Sequence, residues 1–290
     1  MVDYQAKKEF LASFLASKEI ILGGCLAIIL AASFLILPWL LKGDPYQTSL
    51  NIFTPPNKEY LLGTNDVGQD ILAGLLLGGQ NSLKVAVGVG ILSTCLAVGF
   101  GVLAALVGGR LDTFIMRMID IILVIPNIFI IILVSAYLKP SLGLEIILIS
   151  LLTWLGGARV IRAQVLSLKE RTHVYAAILF GANLAYIFFR HILPELIPLV
   201  LSIFLQGARR AIFMEAALGF LGIVDPNVIS WGTMINQSLN FFYLDVWRWW
   251  LLPTAGALSL SLISLTLIGR GLEETFISNS ERRSKIATDQ

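Results

Sequence analysis

Long runs of apolar residues, separated by shorter polar segments, dominate the chain. The hydrocarbon core of a bilayer is about 30 Å thick, and a helix of about 20 residues crosses it. The runs predict six such helices, with approximate bounds 20–41, 85–109, 121–138, 145–158, 196 onward, and 249–268. The expected fold is therefore all-α, a polytopic bundle of about six transmembrane helices.

The six predicted spans differ in their polar content. Pro126 lies inside the third span and should kink it, because proline removes a helical hydrogen bond. The uncharged part of the fourth, 146–158, covers only about 20 Å at 1.5 Å per residue, so this span must include Glu145. The fifth contains Arg209, Arg210 and Glu215.

Small residues recur at every fourth position along the second span, where they would let another helix approach closely. This stripe is compatible with packing inside the chain and equally with contact to another subunit. Its members are Ser93, Ala97, Gly101, Ala105 and Gly109.

The distribution of lysine and arginine predicts the orientation. With the N-terminus in the cytoplasm, fourteen of these residues fall in inner segments and five in outer ones, which is the bias that membrane proteins show. Both termini are then cytoplasmic. Residues 42–84 and 225–248 form long outer segments, and 159–195 a long inner one. Before the first span, the apolar residues between 10 and 15 favour a short helix in the membrane interface, with a disordered tail as the alternative.

The composition argues against several functions. Apolar residues make up 57% and charged residues 14% of the chain, and the net charge of +2 is too small to indicate nucleic-acid binding. No phosphate-binding loop with the Gly-x-x-x-x-Gly-Lys pattern is present, so the chain lacks that type of ATP site. Two histidines, His173 and His191, and two cysteines in separate apolar runs form no metal signature. We therefore expect no cofactor, metal site or catalytic centre.

The inner segment 159–194 has the pattern of a helix, a glycine break, a second helix, and then a proline that begins the fifth span. The residues Ala176, Ala177, Gly181, His191, Ile192, Leu193 and Pro194 resemble the Glu-Ala-Ala…Gly…Leu-Pro loop of type I ABC importer permeases, in the dipeptide, oligopeptide and nickel branch. Tyr175 stands where the motif has glutamate. Other matching segments, such as 62–65 and 230–232, follow in the right order from about residue 60 to 275.

The resemblance implies the type I ABC importer transmembrane fold in a cell inner membrane. Such a subunit pairs with a second homologous permease, two ATPase subunits that bind ATP and Mg²⁺, and an extracytoplasmic substrate-binding protein. It implies an ATPase-coupling role for Tyr175, Ala176, Ala177, Gly181, His191, Leu193 and Pro194.

The same resemblance divides the chain into three parts. Residues 1–60 contain the cytoplasmic N-terminal segment, the first span and the start of the outer loop. Residues 61–276 form the transmembrane domain with its coupling loop 159–194, and 277–290 form a cytoplasmic tail. The implied cargo is a peptide, or a metal or metal chelate such as nickel.

The charges in the fifth span allow two interpretations. Arg209 lies about 22 Å along the helix from Pro194, and a central arginine costs about 2.5–3.5 kcal/mol on insertion scales. One hypothesis places Arg209, Arg210 and Glu215 on the translocation path, where an arginine would favour a carboxylate-bearing cargo. In the alternative, the helix is tilted and the arginines reach outward or contact a partner subunit.

Two rival functions compete with the permease interpretation. A stand-alone secondary transporter or channel is disfavoured by the docking-type inner loop and by the scarcity of acidic residues within the spans. A membrane-embedded enzyme is disfavoured because no catalytic constellation can be assembled.

Overall fold

The computed structural model describes residues 17–41 and 43–288, with side chains described up to residue 275 except at 178. This part of the chain contains ten α-helices and no strand, which confirms the all-α prediction. The helices are α1 (Lys18–Leu41), α2 (Ile71–Val107), α3 (Gly109–Val124), α4 (Asn127–Tyr137), α5 (Leu142–Lys169), α6 (Thr172–Leu179), α7 (Leu184–Ile187), α8 (Leu193–Phe220), α9 (Trp231–Asn240) and α10 (Leu251–Thr288). The predicted interfacial helix near residues 10–15 lies outside the described residues.

Five helices in the described part of the chain are long and apolar enough to cross a membrane, namely α1, α2, α5, α8 and α10. The bent pair α3–α4 brings the number to six if it forms one span. On that count the predicted number of crossings is confirmed. We call the end of the bundle that carries α9 the outer end and the end that carries α6 the inner end, following the predicted orientation.

The third predicted span is broken rather than gently kinked. The axes of α3 and α4 differ by 81°, and the break falls at Pro126, as predicted. Ile125 is extended, with φ −87° and ψ 126°, because a residue that precedes proline avoids the helical region. The predicted bounds leave residues 110–120 outside the second and third spans, but this stretch is helical and belongs to α3. Its two acidic residues, Asp112 and Asp120, form ion pairs with arginines of α5.

Helix α2 begins at Ile71, well before the predicted residue 85, so the predicted outer loop 42–84 is wrong over its last third. The carboxylate of Asp70 caps the helix, accepting a hydrogen bond of 2.8 Å from a first-turn N–H. Gln80 donates a hydrogen bond to a backbone carbonyl of α1, and Asn81 donates one to a carbonyl in the segment before α9. Both are 2.9 Å long. Neighbouring segments therefore satisfy the polar residues that the hydrophobicity pattern assigned to a loop.

The small-residue stripe of α2 packs inside the chain. Ala97 and Ala105 are buried, and α2 lies along α5 and α8. A Cβ atom at Gly101 would lie 2.7 Å from the carbonyl oxygen of Ala158 in α5, so only glycine permits this approach. Of the two interpretations of the stripe, intramolecular packing is the one the structure shows. Gly109 lies beyond the end of α2 and begins α3.

The rest of the bundle surrounds this central helix. Helix α10 packs against α1 and α8, and α9 closes the outer end. Trp231 of α9 is 1% exposed; its ring lies 5.3 Å from that of Phe34 in α1, and its indole N–H donates to a carbonyl of α2 at 3.0 Å. The outer ends of three helices are thus joined by one buried tryptophan.

Candidate functional site

The inner segment between α5 and α8 forms an ordered structure at the end of the bundle. Helix α6 follows α5 after a short turn, and Gly181 comes directly after α6 with φ +78°, a conformation that favours glycine. Asn183 caps α7, its side-chain oxygen accepting from the N–H of Tyr186 at 2.7 Å. Pro194 lies in the first turn of α8, directly after a π-helical turn at Phe188–Ile192. The predicted pattern of helix, glycine break and helix is confirmed.

One face of this inner segment is fixed to the bundle. Val174 of α6 and Ile187 of α7 are buried in an apolar cluster together with residues of α2, α5 and α8. Glu195 of α8 forms an ion pair with Arg171, and its Oε1 lies 3.4 Å from Nε2 of His173. These contacts hold α6 against the inner ends of three spans.

The opposite face of the segment is apolar and exposed. Tyr175, Leu179 and Phe180 are 55%, 68% and 91% exposed, and Tyr186 and Phe189 farther along the segment are also exposed. Single exposed apolar residues are ordinary, but several large ones on one short segment are typical of an interaction surface. We call these five residues the inner patch.

The predicted coupling residues occupy two environments. Tyr175, Gly181 and Pro194 are exposed, whereas Ala176, Ala177, His191 and Leu193 are half-buried. The ring of His191 lies 5.8 Å from that of His173 and 5.6 Å from that of Tyr186. Tyr175 therefore places its ring within the inner patch, at the position where the motif has a glutamate.

The three charged residues of the fifth span do not form one cluster. Glu215 is 1% exposed and accepts a hydrogen bond of 2.9 Å from the hydroxyl of Ser82 in α2. Arg209 is half-buried, with Nη1 3.4 Å from Oγ1 of Thr266 in α10. Arg210 is exposed on another side of α8. Among the described residues, no ion pair includes either arginine.

A cavity of about 460 Å³ lies between α5, α8 and α10, and Arg210 lines it. Ser202, Gln206 and Arg210 follow one another at intervals of one helical turn along its α8 wall. Glu273 of α10 also lines the cavity, and it accepts hydrogen bonds of 3.1 Å from both Ser202 and Gln206. Ser93 of α2 also lines the cavity, next to Gly207 of α8. Its buried hydroxyl has no hydrogen-bond partner among the described residues.

Only one residue of this cavity was predicted from the sequence as a path residue. Of the three proposed path residues, the structure places Arg210 on the cavity wall and leaves Arg209 and Glu215 away from it. The four-residue spacing of Ser202, Gln206 and Arg210 is the signal that would have found the polar wall. Glu273 lies beyond the predicted end of the sixth span, so no local pattern brings it to α8.

A bundle of membrane-crossing helices with a polar cavity and an anchored, exposed inner patch defines the class of membrane transport subunits. Residues 97–275 match the family described as binding-protein-dependent transport system inner membrane components, and the chain belongs to this family. It is therefore the permease subunit of an ABC importer. As a transport subunit of the inner membrane, it works with ATPase and substrate-binding-protein partners rather than as an enzyme.

Several curated relatives cover nearly the whole chain. A Brucella suis protein whose name describes a peptide permease is 33% identical over 271 residues, which are 92% of this chain and 89% of that protein. A second Brucella suis protein, named for a peptide transport system permease, is 37% identical over 257 residues, 87% and 85% of the two chains. The oligopeptide transport system permease protein OppC of Bacillus subtilis is 30% identical over 269 residues, 92% and 88% of the two chains.

Proposed function

We propose that this permease forms one half of the translocation path of a peptide importer, with a second homologous permease as the other half. Two ATPase subunits, which bind ATP and Mg²⁺, and an extracytoplasmic binding protein complete the transporter. The names of the relatives from Brucella suis and Bacillus subtilis support peptides as cargo. A bare nickel ion is less well supported, since the chain has only two His, two Cys and five Met as soft ligands.

The inner patch is the observation that carries this proposal. It presents aromatic and aliphatic side chains from a short helix whose other face is fixed to α2, α5 and α8. An ATPase that buries the inner patch is stabilised by hydrophobic contact. It also binds a helix that is packed against three spans, so its movement would displace them. The chain then receives the energy of ATP hydrolysis mechanically, through α6.

The proposed orientation follows from the same surface. If the inner patch meets an ATPase, the inner end faces the cytoplasm, in agreement with the excess of lysine and arginine in the inner segments. Counting α3–α4 as one crossing then places both termini in the cytoplasm. The transmembrane domain is proposed to comprise residues 61–276, which include the family match over 97–275.

Substitution of Gly181 tests the coupling assignment. Gly181→Val forces a β-branched side chain into a backbone with φ +78°, which should displace the inner patch. We expect the ATPase to co-purify with the wild-type chain and to be lost, together with ATP-dependent peptide uptake, in this variant. Gly222→Val is the matched control, since Gly222 has φ +72° at the outer end and a Cβ there also meets no atom within 4 Å.

The outcomes separate the competing functions. Retained ATPase association and uptake in Gly181→Val would contradict the proposal. Uptake by the purified chain alone, driven by an ion gradient without ATP, would instead support a stand-alone transporter.

A further inference from the structure

Two opposite charges line the cavity between α5, α8 and α10 without neutralising each other. Arg210 and Glu273 both contribute to its wall, yet neither takes part in an ion pair of the described residues. The carboxylate of Glu273 is held in place by Ser202 and Gln206. A charge at membrane depth is costly unless it faces water, a partner or a ligand, so this separation calls for an explanation.

The helix geometry gives the axial spacing between the backbone position of Arg210 and the residues that hold Glu273. Ser202 and Gln206 both donate to the same oxygen of Glu273, which therefore lies at a level between them. Arg210 is four residues beyond Gln206 and eight beyond Ser202, or about 6 and 12 Å along the helix axis. An extended peptide spans about 3.3–3.6 Å per residue, so a dipeptide covers about 7 Å and a tripeptide about 10 Å.

The size and lining of the cavity also suit a small polar ligand. Its volume of about 460 Å³ falls within the range of about 300–1,000 Å³ that is usual for ligand sites. Small and polar residues such as Ser93, Thr153 and Gly157 contribute to its lining.

We propose that the cavity is a binding station for a zwitterionic di- or tripeptide, with its carboxylate on Arg210 and its ammonium group on Glu273. This inference rests on the proposed function of peptide import. Because Glu273 lies nearer the inner end than Arg210, the peptide passes with its amino terminus leading. The permease itself thus recognises both ends of the cargo, in addition to any selection by the binding protein.

Equilibrium binding to the assembled permease–ATPase complex in nanodiscs tests the inference. The binding protein is left out, so that only the membrane part contacts the probe. The probes are alanyl-alanine, its C-terminal amide and its N-acetyl derivative. The wild-type complex should prefer alanyl-alanine over each blocked form by on the order of 10- to 100-fold, the usual value of a hydrogen bond to a charged group.

Each variant should abolish one preference only. Arg210→Gln should remove the discrimination against the amide and keep that against the N-acetyl form, and Glu273→Gln should do the reverse. Arg210→Lys should restore most of the first preference. Glu274→Gln and Arg117→Gln, which remove exposed charges outside the cavity, should keep both preferences.

Three results would overturn the inference. The first is that the wild-type complex binds no probe, and the second is that both preferences persist in the two variants. The third is an equal loss for all three probes that Arg210→Lys does not restore, since a structural defect would act in this way. None of them refutes the proposed function, which is judged separately by ATP-dependent uptake with the binding protein present.

Discussion

Phe180 offers the sharpest test of the inner patch as a docking surface. Its side chain is 91% exposed, so the bundle gains almost nothing from it, whereas a docked ATPase would cover it. Burial of a phenylalanine side chain is worth about 1.5–3 kcal/mol. At about 1.4 kcal/mol per tenfold change in Kd, Phe180→Ala should weaken ATPase binding by about 10- to 150-fold. The thermal stability of the isolated permease should stay unchanged.

The assay is titration of the purified ATPase onto the permease pair in nanodiscs, with Kd measured by fluorescence. Tyr243→Ala is the matched control, because Tyr243 is 79% exposed at the outer end and should not affect the Kd. An unchanged Kd in Phe180→Ala, with the control also unchanged, would refute the assignment of the inner patch. A fall in thermal stability would show that Phe180 supports the bundle instead.

Two further predictions concern the packing that positions the site. Asp112→Asn should lower the free energy of unfolding in micelles by about 1.5–3 kcal/mol, because the carboxylate is only 17% exposed in its ion pair with α5. The side chain of Asp120 is 60% exposed, so Asp120→Asn should lower the free energy of unfolding by less than about 1 kcal/mol. Equal effects of the two substitutions would contradict this prediction. Gly101→Ala should destabilise the fold by about 1–3 kcal/mol, because the added methyl group overpacks against α5. In the control Gly99→Ala, the added Cβ meets no atom within 4 Å, so the fold should be unaffected or stabilised by up to about 1 kcal/mol. A Gly101→Ala variant that is more stable than the wild type would refute the close contact.

The local features of the chain were well predicted from its sequence. The apolar runs indicate the number of crossings, because a helix needs a minimum length to cross the bilayer. The break at Pro126 follows from the N–H group that proline lacks. The glycine break at Gly181 and the start of α8 near Pro194 were equally readable. Each of these depends on residues within a few positions of one another.

The failures have a different physical origin. The early start of α2 depends on hydrogen bonds from Gln80 and Asn81 to carbonyl groups in distant segments. The hydrophobicity of the sequence does not predict such hydrogen bonds. The cavity depends on Glu273, which meets α8 across a gap of about seventy residues in the chain. Predicting either would require knowledge of which helices become neighbours.

The break at Pro126 also bears on how the protein enters the membrane. Helix α4 has 11 residues, about 16 Å in length, and α3 carries charged residues, so neither inserts readily by itself. The acidic residues of α3 find their arginine partners only in α5, which is synthesised later. We therefore expect the third crossing to be completed only once the fourth has left the ribosome. The order of insertion during biogenesis then departs from the order of the helices in the chain.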